Sequence, residues 1–288
     1  MRRPRIAAAS CARVPQLDDD WLLLQAALAE RGVEGTTAVW DDATVDWASF
    51  DLVVIRGTWD YFGRLEQFLA WARRVSATTR FLNPVSVVEW NTDKRYLRDL
   101  AAFDVPVVPT TWVAPGKEWS APGGEFVIKP TVSAGAFETA RYRSEEIDEA
   151  RAHVIRLHQK GLVAMVQPYL PSVDDKGDSA RMYFGGRYSH AINKGALLRP
   201  GQGVVEKLWA DMRITPATAS AAQQAVADAA LAAAAWVTEP ATYARVDLLT
   251  DLDGGPVVIE VGLVEPALFL QEAPGSAARL AEAISDRL

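Results

Sequence analysis

Residues 245–261 read Arg245-Val246-Asp247-Leu248-Leu249, then a turn at Asp253-Gly254-Gly255-Pro256, then Val257-Val258-Ile259-Glu260-Val261. Two apolar runs on either side of an Asp-Gly turn predict a β-hairpin. A hairpin centred between Asp253 and Gly254, without a bulge, places Asp247 directly opposite Glu260, with Cβ atoms about 5 Å apart. The pattern therefore predicts that two carboxylates share one face of the hairpin.

Two facing carboxylates repel each other, so this arrangement needs a cation. Mg²⁺ prefers carboxylate oxygens and commonly binds together with substrate phosphates. The alternative is that the register differs by one residue, so that Asp247 and Glu260 point apart or into solvent. The spacing alone leaves both interpretations open.

The composition is that of a globular protein with an ample core. The chain has 288 residues, of which 49% are hydrophobic and 23% charged, and its net charge is −7. A negative balance argues against a general nucleic-acid binder. One cysteine and three histidines argue against disulfides and against a histidine-rich metal site. We find no signal peptide and no apolar run long enough to span a membrane, so we expect a cytoplasmic protein.

The N-terminal part alternates strands with helices. We predict strands at residues 6–9, 36–40 and 51–55, and a helix at 18–31 capped by acidic residues, which gives an α/β domain over residues 1–85. Ligands bind beyond the carboxyl ends of strands in such sheets, so Arg56 and Asp60, which follow the third strand, are candidate substrate contacts. The alternative is a solvated loop in which Trp59 packs on the next helix.

Two lysines stand near small or apolar residues. Lys129 lies inside the apolar strand run Phe126-Val127-Ile128-Lys129-Pro130, where an ammonium group needs a partner or an exposed face. The small-residue loop 131–136 follows and can bring backbone N–H groups near an anion, although it is not a Walker A loop. Asn91 is predicted to cap a helix that carries Lys94.

The order of these motifs resembles the ATP-grasp superfamily over the chain from Asn83 to its end. The resemblance implies an α/β (α+β overall) ATP-grasp fold, with a pre-domain at 1–85 and an ATP-grasp region at 86–288 whose lobes, 125–170 and 171–288, clasp ATP. The motifs that carry it are Asp93-Lys94, Val127-Ile128-Lys129-Pro130, Gln167-Pro168-Tyr169-Leu170, Arg181, Arg245-Val246-Asp247 and Ile259-Glu260.

The resemblance also implies roles for individual residues. The residues expected to bind the nucleotide are Lys94, Lys129, Gln167, Tyr169, Leu170 and Asp178. The residues expected to act in catalysis are Arg181, Lys194 and Arg245. Asp247 and Glu260 correspond to the acids that bind Mg²⁺. Where the family usually has a further asparagine ligand this chain has Gly262, and Glu265 or water could substitute for it.

ATP-grasp enzymes activate a carboxylate as an acyl phosphate, which a nucleophile then attacks. The segments 56–61, 187–191 and 263–266 resemble a bacterial subgroup that includes the cyclo-ligase closing D-cycloserine from O-ureido-D-serine. The resemblance thus implies an ATP- and Mg²⁺-dependent carbon–nitrogen ligase of antibiotic biosynthesis that acts on a small amino acid. The alternatives are an intermolecular carboxylate–amine ligase and a non-catalytic ATP-sensing module. A homo-oligomer stays open.

Overall fold

The computed structural model describes residues 2–206, 212–236 and 240–288, and these residues form three β-sheets with helices packed against them. The helices are α1 (Asp19–Glu30), α2 (Leu65–Ser76), α3 (Val85–Asn91), α4 (Tyr96–Ala102), α5 (Ile147–Gln159), α6 (Ser172–Lys176), α7 (Ala221–Ala233) and α8 (Ser276–Ser285). Among the described residues, no helix combines the length and the apolar character needed to cross a bilayer.

The N-terminal sheet is parallel, with strands in the order β2-β1-β3-β4. Its strands are β1 (Arg5–Ser10), β2 (Glu34–Val39), β3 (Leu52–Gly57) and β4 (Arg80–Leu82). Strand β3 is buried throughout, which explains its almost wholly apolar sequence. Helix α1 begins where the acidic run predicts, since the Asp18 side chain accepts a hydrogen bond from Trp21 N.

The second sheet is antiparallel and has the order β5-β8-β6-β7. Its strands are β5 (Thr111–Val113), β6 (Phe126–Pro130), β7 (Ala140–Tyr142) and β8 (Ala164–Pro168). Phe126 and Ile128 are fully buried and belong to the core cluster that includes buried residues of α5, whereas Val127 and Lys129 project from the other face. The apolar strand that contains Lys129 therefore has one face against its own helix and one face toward the rest of the molecule.

The third sheet is also antiparallel and has the order β11-β10-β9-β12-β13. Its strands are β9 (Asp178–Phe184), β10 (Arg187–Lys194), β11 (Ile214–Ala217), β12 (Tyr243–Thr250) and β13 (Pro256–Gly262). One core cluster joins this sheet to the N-terminal sheet through α1 and α8, and another packs its opposite face against α7. The two faces of the third sheet thus have different surroundings.

The predicted pairing of Asp247 with Glu260 is confirmed, but the assumption of a hairpin without a bulge is wrong. Near the turn, Leu248 pairs with Val258, so the turn is centred on Asp253. A bulge then leaves Ile259 as the extra residue and restores the pairing of the two acids.

Lys94 does not lie on a helix, contrary to the prediction. Asn91 is the last residue of α3, and Lys94 lies in the turn before α4. The Asn91 side chain does not cap a helix; its amide donates to the carbonyl of Val261 and accepts from Leu263 N. Asn91 therefore fixes this turn against the end of β13.

Candidate active site

A cavity of about 430 Å³ lies between the second and third sheets. One wall comes from β6, from the end of β8 and from the loop at residues 133–136, and the opposite wall comes from β9, β10, β12 and β13. Trp59 and Tyr61, from the loop that follows β3, also line it. All three sheets therefore contribute to one site.

Lys94 and Lys129 both line this cavity. The ammonium group of Lys94 donates to the carbonyl of Ser133 at 2.9 Å and lies 3.7 Å from Glu260 Oε1. No hydrogen bond or ion pair of the Lys129 ammonium group is found within the described part of the chain. Burial lowers the pKa of Lys129 to about 8, and the nearby Lys94 adds to this effect while Glu260 opposes it. These two lysines thus bring positive charge to the cavity, and Lys129 has no ion-pair partner among the described residues.

The segment Gln167–Leu170 spans the last two residues of β8 and the two that follow, and it lines the cavity at the edge of the second sheet. Gln167 donates from Nε2 to the hydroxyl of Thr110 at 2.8 Å, and Tyr169 N donates to the Glu125 carbonyl. The hydroxyl of Tyr169 donates to Asp174 at 2.6 Å. These hydrogen bonds hold the segment in place before any ligand binds.

Four charged residues of the third sheet form a connected cluster, of which Asp178, Lys194 and Arg245 line the cavity and Asp247 does not. Lys194 Nζ lies 2.7 Å from Asp178 Oδ2 and 3.0 Å from Asp247 Oδ1. The guanidinium of Arg245 donates from Nε to both oxygens of Asp247, at 3.0 and 2.9 Å. This proximity follows from the register, because Lys194 pairs with Asp178 and Arg245 precedes Asp247 by two residues, on one face of the sheet.

The cluster sets the charge of each acid. Burial would raise the pKa of Asp247, but Arg245 and Lys194 outweigh burial and lower it. Burial likewise opposes ionisation of Glu260, and Lys94 and Arg245 lower its pKa. Asp178 differs: burial raises its pKa to about 6 despite Lys194, and Asp247 adds to the increase. Asp247 and Glu260 are therefore anionic near pH 7.

The two facing acids suit Mg²⁺ in the manner typical of nucleotide sites. Within the described residues there is no group of three or more His, Cys, Asp and Glu side chains that could hold a metal ion. Mg²⁺ usually takes one or two carboxylates and completes its coordination with phosphates and water. Glu260 lines the cavity beside the two lysines. Its cross-strand partner Asp247 is buried and accepts hydrogen bonds from Arg245 at both oxygens, and it supplies the second carboxylate. That number of carboxylates fits a metal ion that arrives with a phosphate ligand.

Arg181, which was predicted to contact the transferred phosphate, is not among the residues that line the cavity. The cavity face of β9 carries Asp178, whereas Arg181 projects from the opposite face, where Ser179 accepts hydrogen bonds from it. Arg181 is wholly buried, and burial lowers its pKa. Alternation along the strand explains this placement, because residues an odd number apart lie on opposite faces.

The predicted substrate contacts Arg56 and Asp60 also lie outside the cavity lining. Arg56 is buried, donates from Nη1 to the Pro266 carbonyl at 2.9 Å and lies 3.6 Å from Asp20. Asp60 accepts from Trp40 Nε1 at 2.9 Å and pairs with Arg64. Both charges are therefore used inside the protein, and the neighbouring aromatic residues of the same loop face the cavity instead.

Glu265 is a cavity residue that the sequence indicated only as a substitute metal ligand. It lies between β13 and α8 and lines the end of the cavity nearest the loop that follows β3. Burial raises its pKa to about 7, Lys94 opposes the increase and Glu260 adds to it. The sequence Leu263-Val264-Glu265-Pro266 is mostly apolar. A single acid in such a run was the only feature of the sequence that could have indicated a buried functional carboxylate.

Comparison with known proteins finds relatives across almost the whole chain. A family model described as "D-cycloserine synthetase DcsG, N-terminal domain" matches residues 6–83. The cycloserine biosynthesis protein DcsG of Streptomyces lavendulae is 41% identical over 285 residues, which cover 94% of this chain and 95% of that protein.

Solved structures agree with this result. The crystal structure of D-cycloserine synthetase DcsG superimposes with a TM-score of 0.90 at 38% identity, covering 98% of this chain and 99% of the other. D-alanine–D-alanine ligase from Bacillus anthracis, solved with ATP, has a TM-score of 0.68 at 14% identity, covering 98% and 96%. The second likeness supports the fold alone, and the predicted fold class is confirmed.

Proposed function

Because the chain belongs to the D-cycloserine synthetase (DcsG) family of ATP-grasp ligases, we propose that it closes O-ureido-D-serine to D-cycloserine with ATP. Membership of this family makes the chain an ATP-dependent ligase, as the sequence predicted. The identity of the substrate is the part that goes beyond family membership. Since ATP is consumed, the proposal places the reaction in the cytoplasm.

The proposed reaction has three steps that balance. A carboxylate oxygen of the substrate attacks the γ-phosphorus of ATP, which gives an acyl phosphate and ADP. The nitrogen bonded to the side-chain oxygen then attacks the acyl carbon, and phosphate leaves with the electron pair of the broken C–O bond. The attacking nitrogen loses its only proton when the ring closes. Water finally cleaves the carbamoyl group, so that the ring nitrogen takes a proton from the water and the carbamic acid, which keeps the hydroxyl group, falls apart to CO₂ and ammonia.

The cations of the cavity account for the first step. Phosphoryl transfer depends mainly on positioning and on neutralising charge. We assign Lys94 and Lys129 to the nucleotide phosphates, because both line the cavity and Lys129 lacks a protein partner among the described residues. Arg245 and Lys194 lie deeper, where they hold Asp247 in its ionised form. No side-chain nucleophile is required.

The metal ion is part of the proposal. Asp247 and Glu260 would hold Mg²⁺, and Mg²⁺ when bound neutralises charge on the β- and γ-phosphate oxygens. The Gln167–Leu170 segment is assigned to the adenine, and Asp178, with one buried oxygen that has no hydrogen-bond partner, is assigned to the ribose. The observation that carries the proposal is that Lys94, Lys129 and Glu260 line one cavity, with the buried Asp247 paired to Glu260 across the strands.

The test measures ADP release by the purified full chain with ATP, MgCl₂ and O-ureido-D-serine, and identifies the product by mass spectrometry. We expect ADP, D-cycloserine and ammonia in equal amounts. ADP formed only with a different amino acid overturns the substrate and keeps the class. A product that incorporates a second amine indicates intermolecular ligation, and ATP binding without turnover on a broad panel of carboxylates indicates a sensor.

A further inference from the structure

Glu265 is an acid of the cavity for which the described part of the chain shows no ion pair with a cation. Glu260 lies 3.7 Å from Lys94 Nζ, and Asp178 lies 2.7 Å from Lys194 Nζ. Within the described residues, no ion pair is found for Glu265, and its Oε2 is buried without a hydrogen bond. A buried carboxylate without a partner is costly, so this position calls for a positive group from a ligand.

The segment that carries Glu265 is held rigidly by the N-terminal part of the chain. Trp59 Nε1 donates to the Glu265 carbonyl at 3.2 Å, and Arg56 Nη1 donates to the Pro266 carbonyl at 2.9 Å. A few residues further on, Asp20 accepts hydrogen bonds from three consecutive backbone N–H groups, at residues 268–270. The carboxylate therefore has a fixed position before any ligand binds, as a recognition group requires.

The walls around Glu265 are aromatic. Trp59 and Tyr61 line the same cavity, and a hydrogen bond from Tyr61 opposes the effect of burial on the pKa of Glu265. An ammonium group is attracted both to a carboxylate and to aromatic faces. A hydrated divalent ion, in contrast, requires several oxygen ligands. This combination favours an organic ammonium group over a metal ion.

We propose that Glu265 binds the α-ammonium group of the amino-acid substrate and so selects amino acids over other carboxylic acids. This inference rests on the proposed function, because the ammonium group lies one carbon from the carboxylate to be activated. An ammonium group held at Glu265 fixes the orientation of that carboxylate. The same contact then contributes to the choice between D- and L-substrates, since only one enantiomer keeps both groups and the side chain in place.

The test compares two enzymes on two substrates, so that four values of kcat/KM are measured. The wild-type enzyme and Glu265→Gln are each assayed for ADP release with O-ureido-D-serine and with 3-(ureidooxy)propanoic acid, which lacks the amino group. We expect the wild type to prefer the amino acid by about 10- to 100-fold in kcat/KM, as for a hydrogen bond between charged groups. In Glu265→Gln the preference falls to within about threefold, while the KM for ATP and the Mg²⁺ requirement do not change.

Controls separate this role from others. Glu282→Gln makes the same change at an exposed site on α8 and keeps the full preference. Glu265→Asp keeps the charge, should Glu265→Gln fail to fold, and is expected to retain part of the preference. If Glu265→Gln keeps the wild-type preference for the amino acid, the proposal is overturned. It is also overturned if Glu265→Gln needs more Mg²⁺ and loses kcat/KM equally on both substrates, because that result identifies Glu265 as a metal ligand.

The outcomes also distinguish the two proposals. If the wild type releases ADP equally well with both acids, the Glu265 proposal fails and the ligase function stands. If O-ureido-D-serine is inactive but another amino acid is turned over, the substrate proposal fails. The comparison is then repeated with that amino acid and its desamino analogue. If no carboxylic acid supports ADP release, both proposals fail.

Discussion

Gly262 lies directly against Pro266, so that a Cβ built on the glycine would be 3.0 Å from the proline Cβ. The proline has little freedom to move, because Arg56 holds its carbonyl group at 2.9 Å. The resemblance noted from the sequence implies an asparagine at this place, and a side chain there would press on Pro266. The remaining ligands of any metal ion must therefore come from elsewhere.

We predict that Gly262→Ala lowers the free energy of unfolding by about 1–3 kcal/mol, as overpacking of a filled site does. Urea unfolding followed by circular dichroism measures this effect. Gly123→Ala is the matched control, because a Cβ at Gly123 meets nothing within 4 Å and its φ is not positive. Equal stability of the two variants would contradict the contact with Pro266.

Asp247 is the acid on which the charged cluster depends. Lys194 and Arg245 both bind it, and Glu260 pairs with it across the strands. Asp247→Asn removes the negative charge from between two cations. We predict a loss of about 100-fold or more in ADP release, a size typical of lost electrostatic stabilisation in an active site.

The control for this change is Asp253→Asn, which alters an exposed acid at the tip of the same hairpin. We expect this control to keep wild-type turnover. Thermal unfolding of both variants shows whether the hairpin is intact. Wild-type turnover by Asp247→Asn would remove Asp247 from the proposed metal site.

The hairpin shows what local patterns can predict. The Asp-Gly turn and the two apolar runs were enough to place Asp247 opposite Glu260. The bulge at Ile259 was not predictable from the sequence. A turn centred on Asp253 followed by one extra residue pairs Asp247 with Glu260. A regular hairpin centred between Asp253 and Gly254 gives the same pair. The pairing was therefore correct although its geometry was not.

Other residues show where such patterns fail. Lys129 could be singled out, since a lysine in an apolar strand is unusual. Arg56 and Asp60 were predicted to contact the substrate because they follow a strand. Their partners in the structure are Asp20 for Arg56, and Trp40 and Arg64 for Asp60. Only the tertiary structure shows that these charges are already paired within the protein.

The orientation of Arg181 predicts that its substitution affects activity much less than the substitution of Arg245. Arg181 lies on the sheet face opposite the cavity, whereas Arg245 lines the cavity. We predict that Arg181→Met keeps kcat/KM for ATP within about threefold, since its charge does not reach the nucleotide, and that Arg245→Met loses about 100-fold or more. ADP release at varied ATP concentration measures both.

Thermal unfolding of Arg181→Met provides the structural check. Replacing a buried charge by an apolar side chain of similar volume is often neutral for stability. The variant is thus expected to fold and to allow a fair comparison. A selective rise in the KM for ATP, with stability unchanged, would restore Arg181 to the nucleotide site.

We expect Lys129 to make nucleotide binding depend on pH. Its pKa is lowered to about 8 by burial and by Lys94, against the opposing effects of Glu260, Asp178 and Asp247. The ammonium form, which attracts phosphate, is present below this pKa and is lost as pH rises through it. Because a bound phosphate raises the pKa again, binding takes up a proton near pH 8 and weakens at higher pH.

We therefore predict that the Kd for a nonhydrolysable ATP analogue increases by up to about tenfold between pH 7 and pH 9. Isothermal titration calorimetry in two buffers of different ionisation enthalpy measures both the Kd and the proton uptake. Lys129→Arg is the matched variant, because a guanidinium stays charged throughout this range. This variant should bind with a Kd that changes little with pH. A pH dependence equal to that of the wild type would assign the titration to another group of the cavity.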